Sequence, residues 1–170
     1  MTRSRRILIT FVVVLSCLGC DQATKRIAQQ RLVPSAPVTL VSNILHLEYT
    51  ENSGAMMGVG SDLSADARFW LFEIFAGGAL FAIMAFTIFG KSLDLTAILS
   101  LSLLLGGGLG NLVDRLFKGG IVVDFMIVTL GPLKTAIFNF ADLSILSGVL
   151  LLLFSRISPF LRSARNQHEG

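Results

Sequence analysis

The residues of this sequence that could do chemistry are carboxylates set beside long apolar runs. Four aspartates occupy such places, namely Asp21, Asp114, Asp124 and Asp142. An ionisable group at membrane depth is costly, and by default it marks function. A polar network that merely joins helices would account for some of these residues, but hardly for all four aspartates.

Two of the aspartates have a cation close by in the sequence. Asp21 has Lys25 four residues later, a favourable spacing on a helix, and Asp114 is adjacent to Arg115 and close to Asn111. A nearby cation keeps a carboxylate ionised. We therefore predict that Asp21 and Asp114 position other groups.

The other two aspartates lie in apolar surroundings with no cation next to them. Asp124 is bracketed by IVV and FMI, and Asp142 ends the segment FNFAD. Two carboxylates in an apolar site can share a proton, so that one acts as base and the other as acid. Such a pair can activate water for attack on a peptide carbonyl. Asp124 and Asp142 are therefore the preferred catalytic pair.

The composition indicates that these groups are held in a membrane. The 170 residues are 53% hydrophobic and only 15% charged, against about a quarter charged in soluble domains. The mean hydropathy is +0.73. We predict an all-α integral membrane protein whose single domain covers residues 1–170. A net charge of +3, with scattered basic residues and no interleaved aromatics, argues against nucleic-acid binding.

Four apolar stretches are expected to span the bilayer, at about residues 7–27, 69–89, 95–113 and 137–157. The first apolar run stops at Cys20, so residues 21–25 are needed to complete the first span. The first and third helices end on the face where the fourth begins. The polar residues expected to meet there are Asp21, Lys25, Asn111, Asp114, Arg115, Asp124, Asn139 and Asp142.

The segments between the spans differ in character. Residues 30–68 are polar, and residues 38–41 and 44–49 within them are predicted to form short strands. We expect a small extracytoplasmic β element there. Residues 121–133 are apolar but too short to span, so we expect an interfacial or re-entrant piece.

The basic residues Arg3, Arg5 and Arg6 before the first span indicate a cytoplasmic N-terminus. An even number of spans then returns the C-terminus to the same side. Basic residues are equally numerous on the two sides, so this rule alone does not decide the orientation.

Three other features are interpreted as packing. Cys17 and Cys20 have no companion ligands, so they are predicted to pack as small apolar residues rather than bind zinc. His46 and His168 are isolated, and we expect neither a metal nor a cofactor. The run from Gly106 to Gly110 superficially suggests a phosphate loop, but the spacing of these two glycines is typical of close helix packing.

Five short segments, in order along nearly the whole chain, resemble the motifs of lipoprotein signal peptidase (signal peptidase II), a family of aspartic membrane proteases. They are DQATK at 21–25, NSGA at 52–55, GNLVDR at 110–115, VVDF at 122–125 and FNFAD at 138–142. The resemblance implies four membrane helices with a small extracytoplasmic β element. It also implies that Asp124 and Asp142 are catalytic, and that cleavage occurs before the diacylglyceryl-modified cysteine of a bacterial prolipoprotein.

The resemblance further implies that Asn111, Arg115 and Asn139 orient the catalytic pair and the substrate. The full expected set of binding and supporting residues is Asp21, Lys25, Asn52, Gly54, Asn111, Asp114, Arg115 and Asn139. The expected partners are lipidated prolipoproteins and membrane lipid. We expect a monomer in the bacterial cytoplasmic (inner) membrane, with both termini cytoplasmic.

The sequence departs from the family pattern in two places. Met56, Met57 and Gly58 follow the second motif, where small residues and a Phe are usual, and residues 133–137 lack the aromatic and proline character common there. These departures bear on substrate preference more than on chemistry. The two methionines could line a groove for acyl chains, or merely pack against a helix.

Two rival interpretations remain open at this point. The basic start, short apolar run and Cys20 resemble a lipoprotein signal peptide, which would make the chain a substrate. Three further spans argue against that. The other rival is a small proton-coupled transporter or channel subunit with an aspartate relay, although the internal symmetry of many transporters is missing.

Overall fold

The fold is built from four long helices and a small sheet. The computed structural model describes residues 1–33, 37–41, 44–55 and 58–168, with side chains as far as residue 157. The helices are α1 (Arg3–Leu32), α2 (Ala65–Phe89), α3 (Leu95–Phe117) and α4 (Phe140–His168). Each is long and apolar enough to cross a membrane. The predicted class, four membrane helices with a small β element, is confirmed.

Helix α3 lies at the centre of the bundle because its glycines let three helices approach it. A side chain at Gly106 would meet Cys17 of α1, and one at Gly108 would meet Leu80 of α2. Gly107 lies against the backbone of Ala141 at the start of α4. Three successive residues on a helix point in three directions, so each serves a different neighbour. The packing interpretation of this run is confirmed.

The spacing of Gly106 and Gly110 brings α1 onto α3. A Cβ atom at Gly110 would lie 2.6 Å from a carboxylate oxygen of Asp21, one turn along α1 from Cys17. Cys17 is buried at this contact, as predicted, whereas Cys20 on the same helix is exposed. The close approach places the polar part of α1 against α3.

The far end of the bundle is fixed by arginines near the N-terminus. The Arg6 guanidinium donates to the carbonyl oxygens of Thr87, Ile88 and Gly90, where α2 ends. Arg3 lies 4.4 Å above the ring of Phe89. The last carbonyls of a helix lack partners within it, and Arg6 supplies donors for them.

The sheet has four antiparallel strands in the order in which they occur along the chain. They are β1 (Val38–Val41), β2 (Leu45–Asn52), β3 (Val122–Leu130) and β4 (Leu133–Lys134). The first two lie close to the predicted strands. Strand β3 replaces the interfacial or re-entrant piece that we expected over residues 121–133, and this is a correction.

The sheet rests on the part of α1 that extends beyond the predicted first span. Ala28 and Leu32 of α1 form a small core with Phe125 of β3. Leu47 and Tyr49 of β2 pack against it. A 30-residue helix is about 45 Å long, whereas a bilayer core is about 30 Å thick. The excess length of α1 carries the sheet at one end of the bundle.

The other helix boundaries also differ slightly from the prediction. Helix α2 begins at Ala65 and includes a π-helical turn at Trp70–Phe75, and α3 continues to Phe117. Helix α4 begins at Phe140, so Asn139 precedes it rather than lying in its first turn.

Candidate active site

Lys25 is the centre of a charge cluster between α1 and α3. Its side chain is fully buried, and its Nζ lies 2.8 Å from Asp21 and 3.0 Å from Asp114. Lys118 binds the other oxygen of Asp114 at 2.9 Å. The Gln22 amide donates to both aspartates. Buried charges persist when they are paired and hydrogen-bonded in this way, so the cluster holds α1 on α3.

The partner of Asp114 is not the one that the sequence suggested. Arg115 was predicted to neutralise Asp114, but adjacent helix residues point apart and the partners are Lys25 and Lys118. Arg115 instead donates to the carbonyl oxygen of Gly54 at 2.8 Å. Its guanidinium lies 5.2 Å from the ring centre of Phe72.

Asn111 connects the charge cluster to Asp142. Its Oδ1 accepts a hydrogen bond of 2.9 Å from Lys25 Nζ. Its Nδ2 donates to Asp142 Oδ1, also at 2.9 Å. Because Lys25 occupies the carbonyl side of the amide, the NH2 side is fixed toward the carboxylate.

Asp142 is held by the helix start on which it lies. The Asn139 side chain accepts from the Asp142 backbone N–H at 2.9 Å, and Asp142 Oδ2 accepts from the Asn139 backbone N–H at 3.1 Å. This reciprocal pair is the geometry of a capping box, in which the first and fourth residues cap each other. The cap therefore fixes both residues.

Asp124 lies on β3 within reach of the same asparagine. Asn139 Nδ2 donates to Asp124 Oδ1 at 2.6 Å, and Asn52 Nδ2 donates to Asp124 Oδ2 at 2.9 Å. Phe138, the residue before Asn139, forms a β-bridge with Met126 of β3. This pairing places Asn139 beside Asp124. Asn139 thus hydrogen-bonds to both Asp124 and Asp142.

Strand β3 is itself anchored to the charge cluster. The backbone N–H of Val123 donates to Asp114 Oδ2 at 3.1 Å. On its other side, β3 pairs with β2, with Thr50 opposite Asp124, and the register shifts between Leu47 and Thr50. Bulges often occur beside active sites because they redirect side chains.

The turn that follows β2 closes over Asp124. Asn52 Nδ2 also donates to the carbonyl oxygen of Ala55, and Asn52 Oδ1 accepts from the Gly54 N–H. A Cβ atom at Gly54 would lie 2.7 Å from backbone atoms of Gly58 and Val59. A glycine is therefore required where Arg115 binds the turn.

Burial changes the acidity of Asp124. The residue is 3% exposed, and desolvation raises its pKa to about 6, with the nearby Asp142 charge acting in the same direction. The hydrogen bonds from Asn52 and Asn139 oppose this rise. A carboxyl that titrates near neutral pH can hold and release a proton during a reaction.

A polar cavity of about 320 Å³ opens on Asp124. Thr50, Asn52, Ser53 and Ser61 contribute to its lining. Among the described residues, no group of three or more His, Cys, Asp or Glu side chains could hold a metal ion. Asp124 is the carboxylate that faces this cavity together with Glu51.

All ten residues singled out in the sequence belong to one continuous hydrogen-bonded network. They are Asp21, Lys25, Asn52, Gly54, Asn111, Asp114, Arg115, Asp124, Asn139 and Asp142. Sequence reasoning missed Gln22 and Lys118. Lys118 could have been found, since it is four residues after Asp114, whereas no spacing pointed to Gln22. Met56 and Met57 lie outside the described residues.

Asp124 is buried and Asp142 is half-buried, and Asn139 bridges the two carboxylates beside a polar cavity. Such an arrangement suits an aspartic protease, in which two carboxylates share a proton. Its position at one end of four apolar helices places it in a membrane protein. The fold and the site together define an aspartic membrane protease.

Comparison with known proteins identifies the family. The family model for signal peptidase (SPase) II matches residues 13–158. The lipoprotein signal peptidase of Caldicellulosiruptor bescii is 37% identical over 147 residues, which is 86% of this chain and 89% of the relative. The lipoprotein signal peptidase of Rhodococcus jostii is 35% identical over 158 residues, 89% of this chain and 73% of the relative.

Solved structures agree with the sequence comparison. One bacterial membrane enzyme has a TM-score of 0.73 and 31% identity, covering 96% of this chain and 91% of that one. A second has a TM-score of 0.72 and 30% identity, covering 91% and 93%. The chain belongs to the signal peptidase II family, and it is an aspartic membrane protease. These matches do not support the alternative of a transporter or channel subunit.

Proposed function

We propose that this protein removes the signal peptide from bacterial prolipoproteins, cleaving before the diacylglyceryl-modified cysteine. We assign the catalysis to Asp124 and Asp142. The observation that supports this most directly is Asn139, which donates to one carboxylate from its amide and to the other from its backbone. The relatives named above are lipoprotein signal peptidases.

The proposed reaction begins with one proton shared by the two carboxylates. We place it on Asp124, because burial raises the pKa of this carboxyl to about 6 and so increases the fraction that is protonated near neutral pH. Asp142 accepts a proton from water, whose oxygen attacks the scissile carbonyl carbon while Asp124 protonates the carbonyl oxygen. The C–N bond then breaks. The leaving nitrogen takes the proton from Asp142, and Asp124 recovers its own proton from the tetrahedral hydroxyl group.

The remaining residues of the network have supporting roles in this proposal. Asn111, Arg115 and Asn139 orient the catalytic pair and the substrate, and Asn52 and Gly54 shape the turn over the cavity. Asp21, Lys25 and Asp114 hold α1 against α3. Each role is supported by the contacts that these side chains make.

We further propose that the protein lies in the bacterial cytoplasmic (inner) membrane with both termini cytoplasmic. Arg3 and Arg6 lie at the end of the bundle away from the catalytic pair, and basic residues favour the cytoplasmic side. The sheet and the site then face the extracytoplasmic side. We also propose that the chain acts as one domain and as a monomer, because the ten network residues join within one chain and the site needs no residue from a second copy.

The experiment that tests this function compares one prolipoprotein with and without its diacylglyceryl group. We expect cleavage of the lipidated form only, because acyl chains stay in the bilayer and hold the scissile bond at the depth of the pair. Each buried methylene adds about 0.8 kcal/mol to membrane anchoring, and positioning removes much of the entropic barrier. Product is measured by mass spectrometry in detergent.

The control for that experiment is the Asp142→Asn enzyme at the same concentration, which reports any contaminating protease. Equal cleavage of the two substrate forms would remove the basis for assigning this chain to lipoprotein processing. Cleavage of neither form by the wild-type enzyme would contradict the proposed function as a whole.

A further inference from the structure

Glu73 is a carboxylate at membrane depth that the proposed reaction does not use. It lies on α2, inside the predicted span at residues 69–89, and it is half-buried. An ionisable side chain inside a membrane helix is costly, and by default it marks function. The contacts around Glu73 indicate what that function is.

The backbone of α2 departs from an ordinary helix at this residue. Glu73 lies in the π-helical turn Trp70–Phe75, and such turns are rare and frequently occur at functional sites. The residue before it, Phe72, has its ring centre 5.2 Å from the Arg115 guanidinium. The turn therefore brings this part of α2 against the last turn of α3.

The Glu73 carboxylate lies beside the same end of α3. A Cβ atom at Gly120 would lie 3.7 Å from Glu73 Oε1, and the Gly120 backbone N–H donates to the carbonyl oxygen of Arg115 at 2.9 Å. The ion pairs among the described residues do not include one between Glu73 and Arg115. The Glu73 charge nevertheless acts on the guanidinium through space.

The Arg115 guanidinium is surrounded by carboxylates from four elements. They are Asp124 of β3, Asp142 of α4, Glu73 of α2 and Asp114 of its own helix. Lys25 of α1 is a second cation that acts on Asp124. Within the described part of the chain, Arg115 Nε is buried without a hydrogen-bond partner. The hydrogen bond to Gly54 therefore leaves the position of the guanidinium to be set partly by these charges.

We propose that Glu73 is a further positioning residue of the reaction, which acts through Arg115 to keep one proton on the catalytic pair. The inference rests on the proposed roles of Asp124 and Asp142. A nearby cation favours loss of a proton from a carboxyl group. Glu73 offsets part of the Arg115 charge and draws the guanidinium toward α2, so the pair retains the proton that it must share.

The test measures kcat/KM against pH for cleavage of a lipidated prolipoprotein in one detergent. Glu73→Gln and Glu73→Met each remove the charge while keeping the length of the side chain. The basic limb of the profile, where the shared proton is lost, should move to lower pH by on the order of half a unit. Above that limb, kcat/KM should fall by about threefold relative to the wild type.

Two further variants show whether the charge itself is responsible. Glu73→Asp keeps the charge and should restore most of the wild-type profile. Asp66→Asn is the matched control, because Asp66 is exposed on the same helix and its substitution removes the same charge. This variant should keep the wild-type basic limb. Thermal unfolding of every variant is measured in the same detergent.

A basic limb in Glu73→Gln and Glu73→Met that coincides with that of Asp66→Asn would overturn the inference, even if their turnover fell. Lower stability with an unshifted limb, or failure of both neutral variants to fold, would show that Glu73 only supports the fold. An unshifted limb in an active enzyme would leave the proposed function intact. If the wild type does not cleave the lipidated substrate, the proposed function fails, and this inference fails with it.

Discussion

Asn139 shows how a helix start becomes part of a reaction centre. Four of its hydrogen bonds join the cap of α4 to Asn111, Asp124 and Asp142. A capping box stabilises a helix without any function, yet here its carboxylate member is also one of the proposed catalytic pair. Turning Asp142 away would break the cap, and turning Asp124 away would break its hydrogen bond to the Asn139 amide.

The first prediction concerns the pair itself. Asp124→Asn and Asp142→Asn should each abolish cleavage of a lipidated prolipoprotein while leaving a folded protein, because Asn keeps the volume but cannot cycle a proton. Asp21→Asn should instead reduce stability by about 1–3 kcal/mol, since Lys25 loses a charged hydrogen-bond partner. Turnover and thermal unfolding in detergent measure the two effects, and near-normal turnover in either pair variant would exclude the mechanism.

The second prediction concerns pH and stability. Asp124 has a raised pKa of about 6, against 3.8 for an ordinary aspartate, so the unfolded chain loses this proton at lower pH than the folded protein. Its contribution to stability is therefore fully present below about pH 4 and is lost as the pH rises through about 6. Asp124→Asn cannot titrate and should lack this decline.

The measurement for the second prediction is the unfolding midpoint at pH 4 and at pH 7 in one detergent. From pH 4 to pH 7 the unfolding midpoint of the wild type should fall by on the order of 5 °C more than the midpoint of Asp124→Asn. Asp62→Asn, at an exposed surface position, is the control and should follow the wild type. Parallel curves for the wild type and Asp124→Asn would show that Asp124 titrates as an ordinary aspartate.

The presence or absence of a cation nearby in the sequence separated the supporting aspartates from the proposed catalytic pair. It did not identify the residues that these aspartates contact in the fold. Asp124 and Asp142 were singled out because no cation lies near them in sequence, and the structure places an amide between them. The partner of Asp114 was misassigned to Arg115 because adjacency in sequence is not adjacency on a helix. The contacts of Gln22 depend on how closely α1 approaches α3, which only the folded structure defines.

At the scale of elements, the glycines of α3 determine where the other helices lie. The third prediction is that Gly107→Ala destabilises the protein by about 1–3 kcal/mol and lowers turnover. The added methyl group would push the start of α4, and with it Asp142, away from α3. Unfolding and cleavage measured together would detect both consequences.

Gly78→Ala in α2 is the matched control, because nothing lies within 4 Å of the added methyl. Removing a helix glycine there should be neutral or stabilising by up to about 1 kcal/mol. If Gly107→Ala behaved in the same way as Gly78→Ala, the close packing of α4 on α3 would not control the site.

The helices were predictable from apolar length, whereas β3 was not. Strands that alternate between buried and exposed residues have a period of two, but Val122, Val123 and Phe125 of β3 are all buried. An apolar run of that length is compatible with several structures. The first span was predicted to end at about residue 27, whereas α1 continues to Leu32. The polar residues after that point carry no apolar pattern that would mark the extension.

At the scale of the whole molecule, the two ends of the helix bundle differ. One end carries Arg3 and Arg6, and the other carries the sheet and the candidate active site. The fourth prediction is that a cysteine at Asp62 is labelled from the extracytoplasmic side and one at Lys91 from the cytoplasmic side. Both positions are exposed, and they lie near opposite ends of α2. An impermeant maleimide on intact cells and on inverted vesicles separates the two cases.

The parent for these labelling variants carries Cys20→Ser, because Cys20 is exposed and Cys17 is buried. The parent alone gives the background labelling. Modification of the Asp62→Cys variant from the cytoplasmic side alone would reverse the orientation of the protein.

The charge cluster also bears on how the chain enters the bilayer. Asp21 and Lys25 form an ion pair within α1, and Asp114 and Lys118 form one within α3, each four residues apart. Each helix therefore contains both members of an ion pair, so its aspartate is neutralised within the same helix while the helix enters the bilayer. The bond between Lys25 and Asp114 forms only when the inserted helices meet, so partitioning into lipid and assembly of the bundle are separate steps. A substitution that removes one member of an intrahelical pair would expose an uncompensated charge during biogenesis, before any catalytic site exists.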